Sequence, residues 1–296
     1  MICRDGEGFI PVNGGNVWYR MIGSERPGVP VVILHGGPGA PHDYLEPLER
    51  LADERPVIFY DQLGCGNSDK PDNLALWTVE RFVEELADVQ AALGITEVHL
   101  LGQSWGTTLA VEYMLRKEPQ HVRGLVLSAP FFSATRWIAD QQAHLAQLPA
   151  QVQASVREAE ETGNYDSADY QQAMQAFYQR HVCRLDPWPD ALNRTIEKIS
   201  VPVYHSMCGP SEFSVIGSLK NLELIDRLGE IKIPALLTCG RYDESTPEST
   251  AIYHQALLGS EMVVFEEGSH EHHLEQLEDY LATVRDFLKR ADSLQF

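Results

Sequence analysis

The sequence predicts an α/β fold, a mostly parallel sheet with helices on both faces and a helical cap inserted into it. Three observations carry that expectation. Short apolar, β-branched runs recur in both terminal parts of the chain, as in "VPVVILHGG", "EVHLLGQS" and "EMVVFEEG". Amphipathic helical stretches separate them, and that alternation buries a parallel sheet between two helical layers. It stops from residue 131 to about residue 222, where Gln, Ala and aromatics dominate and the pattern reads as helices alone.

Each element has its own signal. "FIPVNGGNVWYRMIG" reads as two strands around Asn-Gly-Gly, a hairpin. "VPVVILHGG" and "RPVIFYDQLGCG" are buried strands running into glycine-rich turns. "WTVERFVEELADVQAALG" places Val79, Phe82, Val83, Leu86, Val89 and Leu93 at helical spacing, with Thr78 to cap its start and Gly94 its end. "EVHLLGQS" is a strand, "TTLAVEYMLRKEP" a helix stopped by Pro119, and "VRGLVLSAP" a strand. After the break, "PALLTCG" and "EMVVFEEG" resume the strands, with a helix in "TPESTAIYHQALLG" and a final one in "LEQLEDYLATVRDFLKRA". The expected organisation is one core from residues 1–130 and 223–296, with 131–222 as the cap.

Bulk composition narrows the function. The chain has 296 residues, 44 % of them hydrophobic and 22 % charged, enough to bury a sizeable core. Its net charge of −20 argues against nucleic acid as a partner and favours cations near any pocket. No basic segment followed by an apolar run opens the chain, and no stretch has the 18 apolar residues of a membrane span. Cys3, Cys65, Cys183, Cys208 and Cys239 are odd in number and scattered, which supports neither a disulfide framework nor a zinc site. A reducing cytoplasm is the expected location.

The chemistry starts from "GQSWG", residues 102–106. Ser104 stands where a strand must turn sharply into a helix, and flanking glycines let two backbones pass without a Cβ clash. A serine hydroxyl needs a base, and the base needs an orienting carboxylate. Asp243 follows the strand of "PALLTCG", and His270 follows that of "EMVVFEEG". Nucleophile, acid and base thus fall in order at successive strand ends, where an open α/β sheet collects its ligands. The glycines of "HGGPG", residues 35–39, leave backbone open to a ligand, so the oxyanion donors are assigned to the amides of Gly37 and Trp105. His272 and His273 stand near His270, but no Cys or carboxylate at ligand spacing completes a metal site, so no metal or cofactor is expected.

"HGGPG", "DQLGCGNSD", "GQSWG" and "GRYDESTP" together resemble the proline iminopeptidase family of α/β-hydrolases, which includes tricorn-interacting aminopeptidases and amino-acid amidases. The likeness covers the whole core. In the cap, "YHSMCGPSEF" is similar to the segment in which that family carries an acid for the substrate's amino group, and this implies Glu212 for that role. A second family acid follows the catalytic Asp, which implies Glu244. The family often has Asn where this chain has Cys208. Two carboxylates meeting one ammonium give charge-assisted hydrogen bonds, which makes chemical sense of an enzyme that requires a free N-terminus. Tyr204 lies in the same segment and is a candidate for substrate contact. Phe131, Phe132 and Trp137 stand near the junction of core and cap but read equally well as core.

The resemblance implies a serine aminopeptidase acting on short peptides or amino-acid amides with a free amino terminus, N-terminal Pro or a small apolar residue preferred. An amino-acid amidase or esterase with the same three residues remains open, as does an inactive binding protein on this fold. No nucleic acid or membrane partner is expected.

Overall fold

The computed structural model describes residues 5–294, so the first four residues of the segment read for a leader, Cys3 among them, lie outside the described residues. Eight strands form one sheet in the order β1-β2-β4-β3-β5-β6-β7-β8. β1 (Gly6–Val12) and β2 (Gly15–Ile22) are the hairpin, and β2 pairs antiparallel with β4 (Val57–Tyr60). From β4 onward every pairing is parallel, through β3 (Val31–Leu34), β5 (Val98–Gln103), β6 (Val122–Ser128), β7 (Ala235–Gly240) and β8 (Glu261–Phe265).

The all-apolar strands are explained by burial on both faces. Val32, Leu34, Ile58, Leu100 and Leu125 face one core, whereas Val31, Ile33, Phe59, Leu101 and Val126 face the other. Successive side chains of a strand point to opposite faces, so both must be apolar. Helix α1 (Val79–Ala92) begins where Thr78 Oγ1 accepts from Arg81 N and ends before Gly94 at φ +65°. Helix α2 (Trp105–Lys117) stops at Glu118, immediately before Pro119.

Between β6 and β7 the chain builds five helices: α3 (Ala134–Leu145), α4 (Ala150–Thr162), α5 (Ala168–His181), α6 (Asp190–Lys198) and α7 (Val201–Met207). A single bridge, Ser133 with Glu223, closes the neck of this insertion. Helix α8 (Pro247–Ala256) connects β7 to β8. Two features depart from the sequence pattern. A 3-10 helix, Asp43–Asp53, fills the β3–β4 connection with Pro47 inside it, and the final helix is preceded by a short turn of helix. That turn is α9 (His272–Glu275), and Gln276 at φ −127° separates it from α10 (Leu277–Asp292).

Candidate active site

β3 and β5 are neighbours, while the chain leaves β3 for β4 on its other side. Such a reversal opens a crevice at the carboxyl ends of the strands. The loops after β3, β5, β7 and β8 meet there, and the insertion covers them. A cavity lies between them. Ser104, His270, Gly37, Glu212, Glu244 and Tyr204 all line it.

Ser104 sits at φ +54°, ψ −122°, a conformation costly for a residue with a Cβ. The neighbouring glycines permit it. A Cβ on Gly106 would come 2.0 Å from the Leu34 carbonyl oxygen, and one on Gly102 would come 2.3 Å from the Gly106 carbonyl oxygen. The serine is thereby lifted off the end of β5 with the amino end of α2 behind it. Partial positive charge gathers at such a helix end.

His270 Nδ1 donates to Asp243 Oδ1 at 2.8 Å. That oxygen also accepts from Ser245 N at 2.8 Å, and Asp243 is wholly buried. The acid is fixed from the insertion as well: His144 on α3 donates to its carbonyl oxygen, and His181 on α5 donates to that of Tyr242. His270 Nε2 is left facing the cavity, 3.5 Å from Glu244 Oε1. Ser104 and His270 are not hydrogen-bonded to each other. Catalytic hydrogen bonds are often long before substrate arrives.

Glu212 and Glu244 come from different parts of the chain and meet in the cavity. Glu212 accepts from Tyr178 Oη at 3.4 Å and from Tyr204. Glu244 Oε2 is buried without a hydrogen-bond partner. Burial pushes both carboxyls up from their ordinary value, and for Glu244 the nearby Glu212 and Asp243 push in the same direction. Burial alone would lower His270, but Glu244 and Asp243 outweigh it and raise it to about 10. No Lys or Arg lines the cavity.

The other two histidines of "SHEHH" are structural. His272 Nε2 accepts from the Ser128 hydroxyl, which accepts in turn from Thr238, while its Nδ1 donates to Ser269 O. His273 donates to Tyr44 O. Of the aromatics at the junction, Trp137 lines the cavity, its ring centroid 6.2 Å from that of His270, whereas Phe132 is wholly buried against Tyr253. Phe131 packs on Trp137 behind the wall. Tyr178, Gln62 and Glu271 escaped the sequence reading. Only the "DQLGCGNSD" motif hinted at Gln62. Its N–H donates to His35 Nε2, its Nε2 donates to the His35 carbonyl oxygen, and its Oε1 accepts from Trp105 Nε1. One side chain thus ties the loop that carries Gly37 to the residue after Ser104.

The α/β hydrolase fold family model matches residues 29–277. The chain is 45 % identical to the proline iminopeptidase of Heyndrickxia coagulans over 283 residues, 95 % of this chain and 98 % of that protein. It belongs to the proline iminopeptidase family. The solved proline iminopeptidase of Mycobacterium smegmatis superposes with a TM-score of 0.90 at 36 % identity, covering 97 % of this chain and 99 % of that one. The structure of VinJ superposes with a TM-score of 0.93, also at 36 % identity, over 97 % and 99 % of the two chains.

Proposed function

We propose that this protein is a serine aminopeptidase that removes an N-terminal residue, Pro or a small apolar one preferred, from short peptides or amino-acid amides. The observation that carries this is the company Ser104 keeps. Its cavity holds the His270–Asp243 pair and two buried acids, Glu212 and Glu244, with no Lys or Arg on the lining to neutralise them. Two carboxylates held close together repel, and the only basic side chain on the lining is His270, so the site favours a further positive charge. A free N-terminal ammonium supplies it.

In this mechanism the ammonium docks between Glu212 and Glu244, which sets the first carbonyl carbon over Ser104. His270 Nε2 takes the hydroxyl proton as Oγ attacks, and Asp243 holds the imidazole in the tautomer that permits it. The amides of Gly37 and Trp105 receive the oxyanion. His270 returns the proton to the leaving nitrogen, the C–N bond breaks, and an acyl-enzyme remains. Water, deprotonated by His270, attacks that ester and releases the amino acid. Trp137, Tyr178 and Tyr204 bound the space for the first side chain, and the helical insertion acts as a cap that admits only short ends. Trp137 Nε1 donates to the Glu212 carbonyl oxygen, coupling that wall to the acid. The four free, buried cysteines among the described residues support the cytoplasmic location of the proposed peptidase.

A substrate panel tests the proposal. Prolyl, alanyl and leucyl arylamides are compared with the matching primary amides and esters. Turnover of the prolyl and alanyl arylamides above leucyl supports it, and turnover of esters alone contradicts it.

A further inference from the structure

Glu271 is a third acid of the cavity, and none of the steps above uses it. It lines the cavity yet is only 5 % exposed. Its backbone is pinned, its N–H donating to the Val182 carbonyl oxygen. Oε2 has no hydrogen-bond partner. The nearest basic nitrogen to that oxygen is His273 Nδ1 at 3.6 Å, but burial holds His273 down at about 3, so it brings no charge. Its other charged neighbours are His270, already paired with Asp243, and the acids Glu275, Asp243 and Glu244, the last of which it helps to raise. Burial, partly offset by His270, raises the Glu271 carboxyl to about 8. An arriving cation would therefore draw it into its charged form near neutrality.

Its place differs from that of the other two acids. Glu212 is surrounded by Tyr178, Tyr204 and the Trp137 indole. Glu271 acts instead on Tyr44, whose hydroxyl accepts from Gly36 N and donates to Gln103 Oε1. Tyr44 thus ties Glu271's wall to the loop that carries Gly37. With the ammonium between Glu212 and Glu244 and the carbonyl carbon at Ser104, the leaving residue is the part of the substrate turned toward this second wall. Ala40 and Val182 also line the cavity. Resting on the function proposed above, we infer that Glu271 is a specificity-determining residue for the leaving group. It favours a cationic side chain on the second residue and disfavours a carboxylate there, including the terminal carboxylate of a free dipeptide.

The test compares kcat/KM near pH 8 for Pro-Lys, Pro-Gln and Pro-Glu amides and for free Pro-Gln, in wild type and Glu271→Gln. Ratios between substrates cancel any change in turnover that the substitution causes through neighbouring His270. Like charges forced together are strongly disfavoured, so the wild type should prefer the Lys amide over the Glu amide by at least about tenfold, and amidated over free Pro-Gln. Glu271→Gln should bring both ratios most of the way to one. Wild-type ratios near one overturn the inference. So do ratios that Glu271→Gln leaves unchanged, which would trace the preference to the general charge of −20. If prolyl esters are hydrolysed but none of these peptides is, the peptidase function falls and this inference with it.

Discussion

His270 Nε2 lies 3.5 Å from Glu244 Oε1, and both groups are buried. Asp243 holds the Nδ1 side of the ring and Glu244 stands at Nε2. Burial would lower His270, yet Glu244 and Asp243 raise it to about 10, while burial raises Glu244 itself. In the proposed mechanism a substrate ammonium at Glu244 would replace the imidazolium as its counter-charge and free His270 to act as a base.

The pH consequence has a definite sign. The raised His270 must lose its proton before Ser104 reacts, so reaction with a neutral probe should increase as pH rises toward about 10. Removing the neighbouring charge in Glu244→Gln lowers the His270 value. The rate at which an uncharged fluorophosphonate modifies Ser104, followed against pH, should shift its acid limb at least about one unit lower in that variant. Coincident profiles would show that Glu244 does not hold the proton on His270.

Ser104→Ala and His270→Ala should each lower kcat by on the order of a thousandfold or more, with the fold intact by circular dichroism. Asp243→Asn leaves the geometry but invites the wrong tautomer, and a drop of about 10⁴ is expected. More than about a tenth of wild-type kcat in Ser104→Ala would remove Ser104 from the mechanism.

Gly106→Ala places a Cβ 2.0 Å from a backbone oxygen of β3, which no side-chain rotation relieves. It should destabilise the protein by on the order of 3 kcal/mol, seen as a fall in Tm. An unchanged Tm would mean that the turn at Ser104 does not depend on close backbone contact.

Much of this was legible in the sequence because local chemistry and global position agreed. β3 and β4 are uniformly apolar or aromatic since both faces are covered, and glycines mark the turn at Ser104 since nothing larger fits. Ser104, Asp243 and His270 could be found because each ends a recognisable strand. Glu212 needed a family resemblance, for nothing local separates a buried acid on a helical insertion from a solvated one. Tyr178 and Glu271 were not legible. Tyr178 reaches Glu212 across 34 positions of sequence, and Glu271 looked like one more polar residue in "SHEHH".

Gln62 is expected to be a positioning residue. Gln62→Ala leaves Trp105 Nε1 without its acceptor and the His35 carbonyl without its donor. Unsatisfied buried groups cost about 1–3 kcal/mol each, so Tm should fall. If the loop that carries Gly37 loosens, kcat should drop about tenfold or more with KM little changed, as expected for loss of oxyanion stabilisation. A change in KM alone would contradict that role.

The central claim is that Glu212 and Glu244 bind the substrate's ammonium beside Ser104. It is tested most directly by kcat/KM for a prolyl arylamide against its N-acetyl form. Losing one partner of a desolvated charge pair costs about 2–5 kcal/mol, which corresponds to roughly 30- to several-thousand-fold. The wild type should therefore discriminate against the acetylated substrate by that factor, and Glu212→Ala or Glu244→Ala should lose most of the discrimination. Equal wild-type rates on the two substrates would contradict the account.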